Sequence, residues 1–401
     1  MDNEYVKKLT SKNPNDFEFA ASHIINNIDV KAFEALVEKG DFLFDFIKEN
    51  VRKRLSNVIT NYNYKNLLSF LKVYSYDYED LIVSTLVKFA DEDLTDKMLE
   101  LLEKGINEEK AYAAKYFSKI NDTLAIDLLR ENSYSDFDSL AMNCAEALSA
   151  MKDEESYNLA IKKLQSEDEF EKLSAVRFLA AYKDKRAVKE LFDVMKKSSM
   201  AENIASEISY IKGFLELIDT EFKNDTILAI NYILNGLGEI ISLSQVFDFR
   251  LFEVFEKLIG MQTNDSKIAL LLLNAKLKFE QITENDEYIF DEDKETKNEI
   301  YEIKNLLLSL PEDFWYEQKK LFQNELDENS DFVFPALDLS EELDLTETFE
   351  KLKKLLDSSN QTIILKTVEV IKSIGKINEI NKTDVLEKIS DENIREIIIA
   401  L

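Results

Sequence analysis

Apolar residues recur at three- and four-residue steps through most of the chain, and short breaks containing Asp separate the runs. Over residues 170–198, Leu173, Val176 and Leu179 form one run before Asp184, and a second run comes after it. Steps of three and four residues are typical of one face of an α-helix. The pattern predicts two helices joined by a tight turn. In that turn, the Asp184 carboxylate accepts hydrogen bonds from free N–H groups of the second helix.

This unit repeats at an interval of 31 residues across the first half of the chain. A leucine-like row consists of Ile24, Leu55, Leu86, Phe117, Leu148 and Leu179. The turn row consists of Asp29, Thr60, Asp91, Asp122, Asp153 and Asp184, and a third row of Leu36, Leu67, Met98, Leu129, Ala160 and Leu191. Small residues recur as well, with Ala113, Cys144 and Ala175 in one row and Ala125, Ser156 and Ala187 in another. Such a period is typical of a solenoid, so we expect an all-α fold, an α-solenoid of antiparallel helix pairs.

The regularity of the pattern divides the chain into five regions. We predict an N-terminal segment over 1–16, a regular repeat array over 17–200 and divergent helical repeats over 201–283. An acidic insertion or connector with short helices comes next over 284–346, of which 324–346 is expected to be extended, and C-terminal repeats occupy 347–401. Gly236 and Gly238 are expected to mark a helix end rather than a phosphate loop. The last repeat looks incomplete, which suggests a capping helix, a longer native chain or a partner over the apolar terminus.

The chain resembles HEAT repeats, particularly the short type named after phycobilisome lyases. The unit of that family runs A-A-x-A-L-x-x-x-x-D-x-x-A-x-x-x-L, and Ala145, Ala147, Leu148, Asp153 and Ala187 are among the matching positions. The resemblance is good over 17–200, loose over 200–283, absent over 284–345, and returns at 349–401. It implies a curved array in which the second helix of each pair lines the concave surface.

Composition agrees with a helical protein and limits its partners. Only seven Gly and three Pro occur in 401 residues, so helix breakers are rare. The net charge of −29 disfavours general binding to nucleic acid or anionic membranes. The charge is uneven, because 281–350 carries 22 acidic residues and 5 Lys, whereas 160–200 carries 10 basic and 7 acidic residues. Regions of opposite sign make self-association physically reasonable.

Residues able to support catalysis or metal binding are scarce. His23 and Cys144 are the only histidine and cysteine, and we interpret both as structural. Asp327, Asn329 and Asp331 have the spacing that opens a calcium loop, but Phe332 stands where the loop needs Gly. We therefore predict no catalytic residue, no cofactor and no metal ligand. One cysteine, no apolar signal core and no long apolar run predict a cytoplasmic protein without membrane insertion.

Two groups of residues are candidates for partner contact. Lys162, Lys163, Lys185, Lys189 and Lys196 fall on the polar faces of second helices, which the HEAT resemblance places on the concave surface. They could hold an acidic segment, such as 324–346 or one from a partner, or a phosphate; the alternative is a solvated face. Tyr74, Tyr76 and Tyr78 are expected in a loop between repeats, where they either pack or contact a partner.

The leading hypothesis is a non-enzymatic scaffold that binds a protein partner. The resemblance leaves two alternatives. Some short HEAT arrays act as bilin lyases or isomerases, although no distinctive tetrapyrrole site is evident here. Some HEAT-like DNA glycosylases bind nucleic acid, which conflicts with the net charge of −29.

Overall fold

The computed structural model describes residues 3–11, 13–40, 43, 45–211, 213–236, 251–261, 264–281 and 294–401. Within these ranges all regular secondary structure is helical and no strand is present, which confirms the all-α prediction. The chain divides into an N-terminal unit, Met1–Leu191, and a C-terminal unit, Phe192–Leu401. Gly238 and residues 284–293, which figured in the sequence predictions, lie outside the described residues.

The N-terminal unit is built from consecutive helix pairs. Its α-helices are α1 Glu4–Leu9, α2 Pro14–Asn26, α3 Val30–Gly40, α4 Asp45–Val58, α5 Tyr76–Lys88, α6 Glu92–Lys104, α7 Asn107–Ile120, α8 Ile126–Asn132, α9 Asp138–Ala150, α10 Glu154–Lys163, α11 Glu169–Tyr182 and α12 Val188–Met195, which contains the boundary between the units. Its 3-10 helices are Tyr64–Ser69, Thr123–Ala125 and Lys185–Ala187. We call α2, α4, α5, α7, α9 and α11 the first helices.

The repeating rows form the core of this unit. Every member of the leucine-like row is at most 1% exposed, and every member of the third row is at most 2% exposed. The two rows of small residues are buried as well, so neighbouring helices approach closely there. The rows that sequence spacing placed in the interior are therefore correctly assigned.

The turn row caps the second helices as predicted. The carboxylates of Asp91 and Asp122 accept hydrogen bonds from the backbone N–H groups of Leu94 and Leu124, at 2.8 and 3.0 Å. Equivalent bonds are made by Asp29, Asp153 and Asp184, and by the hydroxyl of Thr60. The residue before the turn residue has a left-handed backbone at Ile28, Asn121, Lys152 and Lys183, with φ between 52° and 60°. One turn geometry thus ends four of the first helices.

Consecutive first helices pack against one another. Helix α5 packs on α7, α7 on α9, and α9 on α11, while α6, α8 and α10 each pack on the first helix that comes next. Lys115 on α7 pairs with Glu146 on α9, one repeat later in the sequence, at 2.5 Å. Because a contact at one repeat interval joins equivalent levels of two helices, α7 and α9 run parallel and in register.

The helices of the C-terminal unit follow one another at a more irregular spacing. Its α-helices are α13 Ala201–Ser209, α14 Lys223–Gly236, α15 Leu251–Gly260, α16 Ser266–Glu280, α17 Lys294–Leu308, α18 Glu312–Leu321, α19 Val333–Glu342, α20 Phe349–Leu355, α21 Gln361–Ser373, α22 Lys382–Glu387 and α23 Glu392–Ala400. Its 3-10 helices are Leu215–Asp219, Phe322–Glu325, Thr346–Thr348 and Ile377–Glu379. None of the helices in the described ranges of either unit has the length and apolarity needed to cross a bilayer.

The expectation of an extended segment over 324–346 is wrong. Helix α19 occupies the middle of this stretch, and its Val333, Ala336 and Leu337 are buried. Pro335 is compatible with this helix because it lies in the first turn, where the backbone N–H has no intrahelical acceptor. The segment is therefore packed within the C-terminal unit rather than free to act as an extended acidic ligand.

The turn of the N-terminal repeats returns after α19. Asp344 and Gly375 have φ of 49° and 71°, and a 3-10 helix begins two residues after each of them. Helix α19 packs on α21 and α21 on α23, which matches the succession of first helices in the N-terminal unit. Helix pairs of the same construction are therefore present from α19 onward.

Candidate interaction surfaces

The five lysines predicted to bind a partner lie in different local environments. Lys162 and Lys163 belong to the last turn of α10. Lys185 opens the 3-10 helix before α12, Lys189 is the second residue of α12, and Lys196 comes directly after its last residue. Whether they act as one binding surface stays a prediction.

Two of these lysines already have partners. The Nζ atom of Lys163 lies 3.6 Å from the centroid of the Tyr134 ring and 3.9 Å from Oε1 of Glu171. The Nζ atom of Lys196 lies 3.1 Å from Oδ1 of Asp225. Burial acts to lower the pKa of Lys196, but the hydrogen bond and charge of Asp225 outweigh it and raise that pKa above its ordinary value. These two cations are compensated within the chain.

Lys162, Lys185 and Lys189 are exposed and have no ion-pair partner among the described residues. The neighbouring Arg186 does not add to them, because its guanidinium lies 2.9 Å from Glu154 and 2.6 Å from Asp184. The predicted basic surface is thus reduced to three open lysines.

A second polar surface extends along α5, α7 and α9. Glu146 accepts hydrogen bonds from Lys115 at 2.5 Å and from Lys183 at 2.9 Å. Burial acts to raise the pKa of Glu146, but these two lysines lower it below its ordinary value overall. Burial likewise acts to lower the pKa of Lys115, but Glu146 raises it overall. The opposite shifts of the two partners are those of a salt bridge that favours both charged forms.

Glu79 is a buried carboxylate on this surface, with 5% of the residue exposed. Its Oε1 accepts hydrogen bonds from Nδ2 of Asn143 at 2.6 Å and from the hydroxyl of Tyr74 at 2.9 Å. Its Oε2 lies 3.9 Å from Nζ of Lys115, which is beyond hydrogen-bond distance. Because burying a carboxylate is costly unless its oxygens are bonded, Oε2 keeps a capacity to accept from a ligand.

A cavity of about 670 Å³ opens beside Glu79, lined by residues of α4, α5 and α7. Tyr76 lines it together with four acidic residues and three basic ones, which are Glu49, Asp77, Glu79 and Asp80, and Arg52, Lys53 and Lys115. Sequence spacing did not predict this cavity. A glutamate among the apolar positions of α5, between Tyr78 and Ile82, was the available signal.

Apolar side chains are exposed at the start of successive first helices, and the spacing of the core rows did not reveal them. Phe46, Tyr76, Ile106 and Phe170 are 66%, 84%, 51% and 74% exposed, and Phe137 is half-buried. These five residues, which we call the first-helix edge, succeed one another at intervals of 30 to 33 residues. A search for apolar residues at the repeat interval outside the core rows would have found them.

The tyrosine-rich stretch differs from the expected loop. Helix α5 begins at Tyr76, so Tyr76 and Tyr78 are helical. Tyr78 is buried, and the Tyr74 ring packs against Tyr112 at 5.3 Å and edge-on against Phe137 at 5.6 Å between centroids. Packing therefore accounts for two of the three tyrosines, and Tyr76 remains exposed.

The single histidine and the single cysteine both pack against or within other parts of the chain. The His23 ring stacks on Tyr5 with 3.6 Å between centroids, and Nε2 lies 3.4 Å from Asp29. Cys144 is fully buried, and burial raises the pKa of its thiol. A thiol with a raised pKa is a poor nucleophile at neutral pH. In the described parts of the chain, no three His, Cys, Asp or Glu side chains are placed to hold a metal ion.

Compared with models of protein families, the chain matches none of them, and a comparison with curated proteins likewise finds no match. The resemblance to HEAT repeats therefore rests on the residues of the repeat itself.

Proposed function

We propose that this chain is a non-enzymatic scaffold for protein–protein interaction, built as a HEAT-like α-solenoid. The observation that carries the proposal is the recurrence of buried core rows and a capped turn at the same interval through six repeats. Repeats that bury their apolar faces only against neighbours leave long exposed surfaces, and binding proteins use such surfaces.

The solenoid arrangement is tested by the size of the protein in solution. A compact globule of this length has a radius of gyration of about 21 Å. We expect small-angle X-ray scattering of the full chain to give a clearly larger value, with an elongated distance distribution. A radius near the compact value would contradict the solenoid and leave the helix pairs to be arranged around a single core.

The three open lysines are proposed to bind an acidic segment of a partner. Because residues 333–342 form a packed helix, that segment is expected to come from another protein. Complementary charge gives such binding its orientation and a strong dependence on salt.

A labelled twelve-residue peptide that alternates Glu and Leu can test this binding by fluorescence anisotropy. We expect the full chain to bind it and the triple variant Lys162→Glu, Lys185→Glu, Lys189→Glu to bind it at least about tenfold more weakly, a loss of about 1.4 kcal/mol. Lys65→Glu is the matched control, because Lys65 is exposed and belongs to the 3-10 helix Tyr64–Ser69, outside the helices that carry the candidate set. An equal loss in the control, or no binding to the unmodified chain, would contradict the assignment.

A further inference from the structure

The first-helix edge is a continuous feature of the N-terminal unit. Its members occupy the same place in successive repeats, at the entry of the chain into each first helix. Single exposed apolar residues are normal on protein surfaces and need no explanation. An apolar side chain at the same place in five consecutive repeats is a different observation, because the repeat brings its members side by side.

Contacts between α7 and α9 show that the entries of these two neighbouring first helices share one edge. Nδ2 of Asn143 on α9 donates to the carbonyl of Ala111 on α7 at 3.1 Å, across an interval of 32 residues. Together with the pair between Lys115 and Glu146, this bond aligns the two helices level with each other. Parallel helices packed in register place their N-terminal ends along one edge, so Ile106 and Phe137 lie side by side, and the same position in the other repeats extends the row.

This edge is acidic as well as apolar. The four stretches 75–80, 105–110, 135–139 and 166–172, around four of its five members, contain eleven Asp or Glu and two Lys. Six of these carboxylates have a Lys or Arg ion-pair partner, so five remain to give the edge its acidic charge. Carboxylates at helix N-termini are favoured by the helix dipole and by capping, which accounts for part of this charge. Capping gives no reason for the aromatic side chains of Tyr76 and Phe170 to be 84% and 74% exposed.

The cavity beside Glu79 adds a polar pocket to the same edge. Tyr76 is one of its lining residues, and the four carboxylates of its lining outnumber the three cations by one. The Oε2 atom of the buried Glu79 has no hydrogen-bond donor among the described residues. An ammonium or guanidinium group entering the cavity would supply that donor, and the Tyr76 ring could cover its aliphatic stem.

We propose that the first-helix edge binds a basic segment of a protein partner. The apolar side chains of that segment pack on the five residues of the edge, and one of its Lys or Arg side chains enters the cavity beside Glu79. The acidic charge of the edge selects a basic occupant, and the spaced aromatic side chains select one that also carries apolar residues. This inference rests on the proposed scaffold function, but it concerns a surface of opposite charge to the three open lysines.

The test uses the full chain and fluorescein-labelled twelve-residue peptides in fluorescence anisotropy at physiological salt. One peptide alternates Lys with Leu, and the comparison peptide alternates Lys with Ser. We expect the Lys/Leu peptide to bind at least about tenfold more tightly than the Lys/Ser peptide, because its leucines can pack on the apolar side chains of the first-helix edge and serines cannot. Equal binding of the two peptides would overturn the proposal, since charge alone would then explain it.

Variants locate the binding on the edge. Tyr76→Ser with Phe170→Ser should weaken binding of the Lys/Leu peptide at least about tenfold. Tyr62→Ser with Leu124→Ser is the matched control, since these residues are 92% and 73% exposed but lie outside the edge, and it should leave affinity unchanged. All substituted side chains are exposed, so circular dichroism and urea unfolding should match the unmodified chain. An equal loss in both double variants would overturn the proposal.

The cavity and the competing occupant are tested separately. Glu79→Gln should weaken binding of the Lys/Leu peptide and spare that of the Glu/Leu peptide, which is assigned to the lysines. If the Glu/Leu peptide fails to bind while these effects hold, the lysine assignment fails and the edge stands. Sedimentation that shows a dimer of the unmodified chain and a monomer of the Tyr76→Ser, Phe170→Ser variant would identify a second copy as the occupant and overturn the proposal.

Discussion

In the N-terminal unit, polar contacts between neighbouring helices reuse the same intervals. Lys115 and Glu146 lie 31 residues apart, and the pairs Lys119–Asp80 and Arg177–Asp138 both span 39 residues. In the C-terminal unit such contacts first have no common interval, as between Asn274 and Asn231, 43 residues apart, or Lys257 and Asp219, 38 residues apart. Beyond α19 the repeat interval returns, with Lys388 bonded to Asp357, 31 residues before it.

The regular interval goes with a polar turn residue that caps the second helix. In the N-terminal unit this residue is present in all six turns, and a left-handed residue precedes it in four of them. From α14 to α18, the described residues contain no left-handed residue. The interior there includes a polar cluster in which Asn274 donates to Asn235 at 2.9 Å and to Asn231 at 3.3 Å. Buried amide side chains thus stand among the leucines of the interior in this stretch.

The largest expected effect tests whether the two repeat regions are equivalent. Leu148 and Ile371 each stand four residues before a left-handed turn residue, and both are fully buried. We expect Leu148→Ala and Ile371→Ala each to lower the free energy of unfolding by about 2–5 kcal/mol, because each leaves a cavity. Urea unfolding measures the loss, with Lys162→Ala as the near-neutral control. A large loss at Leu148 alone would show that the helix pairs beyond α19 are not true repeats.

The left-handed residues offer a reciprocal test of the shared turn. Ile28 has φ of 52°, which is strained for a β-branched side chain, so Ile28→Gly should stabilise the chain by about 1 kcal/mol. Gly375 has φ of 71° and open space where a Cβ would lie, so Gly375→Ala should destabilise by about 1 kcal/mol through backbone strain alone. Thermal unfolding checks both signs. If Ile28→Gly destabilises, the side chain contributes more packing than its backbone conformation costs.

The capped turn of the N-terminal unit should contribute a smaller amount. Asp91→Ala removes the acceptor for the N–H group of Leu94 and should cost about 1 kcal/mol in unfolding free energy. Asp93→Ala is the matched control, since Asp93 is exposed in the first turn of the same helix without a capping bond. Equal losses in urea unfolding would mean that charge near the helix terminus, and not the cap, stabilises this turn.

The smallest expected effect is on the pH dependence of stability. The pKa of Glu146 is lowered in the folded chain, so its contribution is fully present above the unfolded pKa and is lost as the pH falls through the folded value. Unfolding free energy measured from pH 7 down to pH 3 should therefore fall less steeply in Glu146→Gln than in the unmodified chain. Glu131→Gln, at an exposed glutamate, should leave the slope unchanged. Identical slopes in all three proteins would contradict a stabilising role for the two lysines beside Glu146.

Sequence spacing was sufficient to predict the helix pairs and their interior rows in the N-terminal unit, because buried positions of a helix cannot vary freely. It missed the helix pair that begins at α19 for identifiable reasons. Ser340 replaces the leucine of the core row, with its hydroxyl donating to the carbonyl of Ala336 at 2.7 Å. The acidic turn residue, Asp344, is itself the left-handed residue, and Leu345 stands where the other repeats place a capping aspartate. At this helix pair the leucine of the core row is therefore absent, and the aspartate of the turn row is shifted by one residue.

The candidate surfaces were less predictable than the core. Spacing identified the lysines as polar-face residues, but not that Lys163 contacts Tyr134 or that Lys196 pairs with Asp225. These contacts depend on which side chains approach from other helices. The exposed row at Tyr76, Ile106 and Phe170 was missed for the opposite reason, because apolar residues near helix starts resemble the hydrophobic residues that usually pack there.

The recurring left-handed turn has a consequence for how a chain of this kind changes length. Asn121 and Lys152 have nearly the same backbone conformation, and each is succeeded by a capping aspartate. Excision of residues 122–152 would join Asn121 to Asp153 and rebuild the same junction, so a whole module could be removed, or duplicated in tandem, without designing a new connection. Modules cannot be removed or duplicated in this way between α14 and α18, because the described residues of that stretch include no matching pair of left-handed junctions.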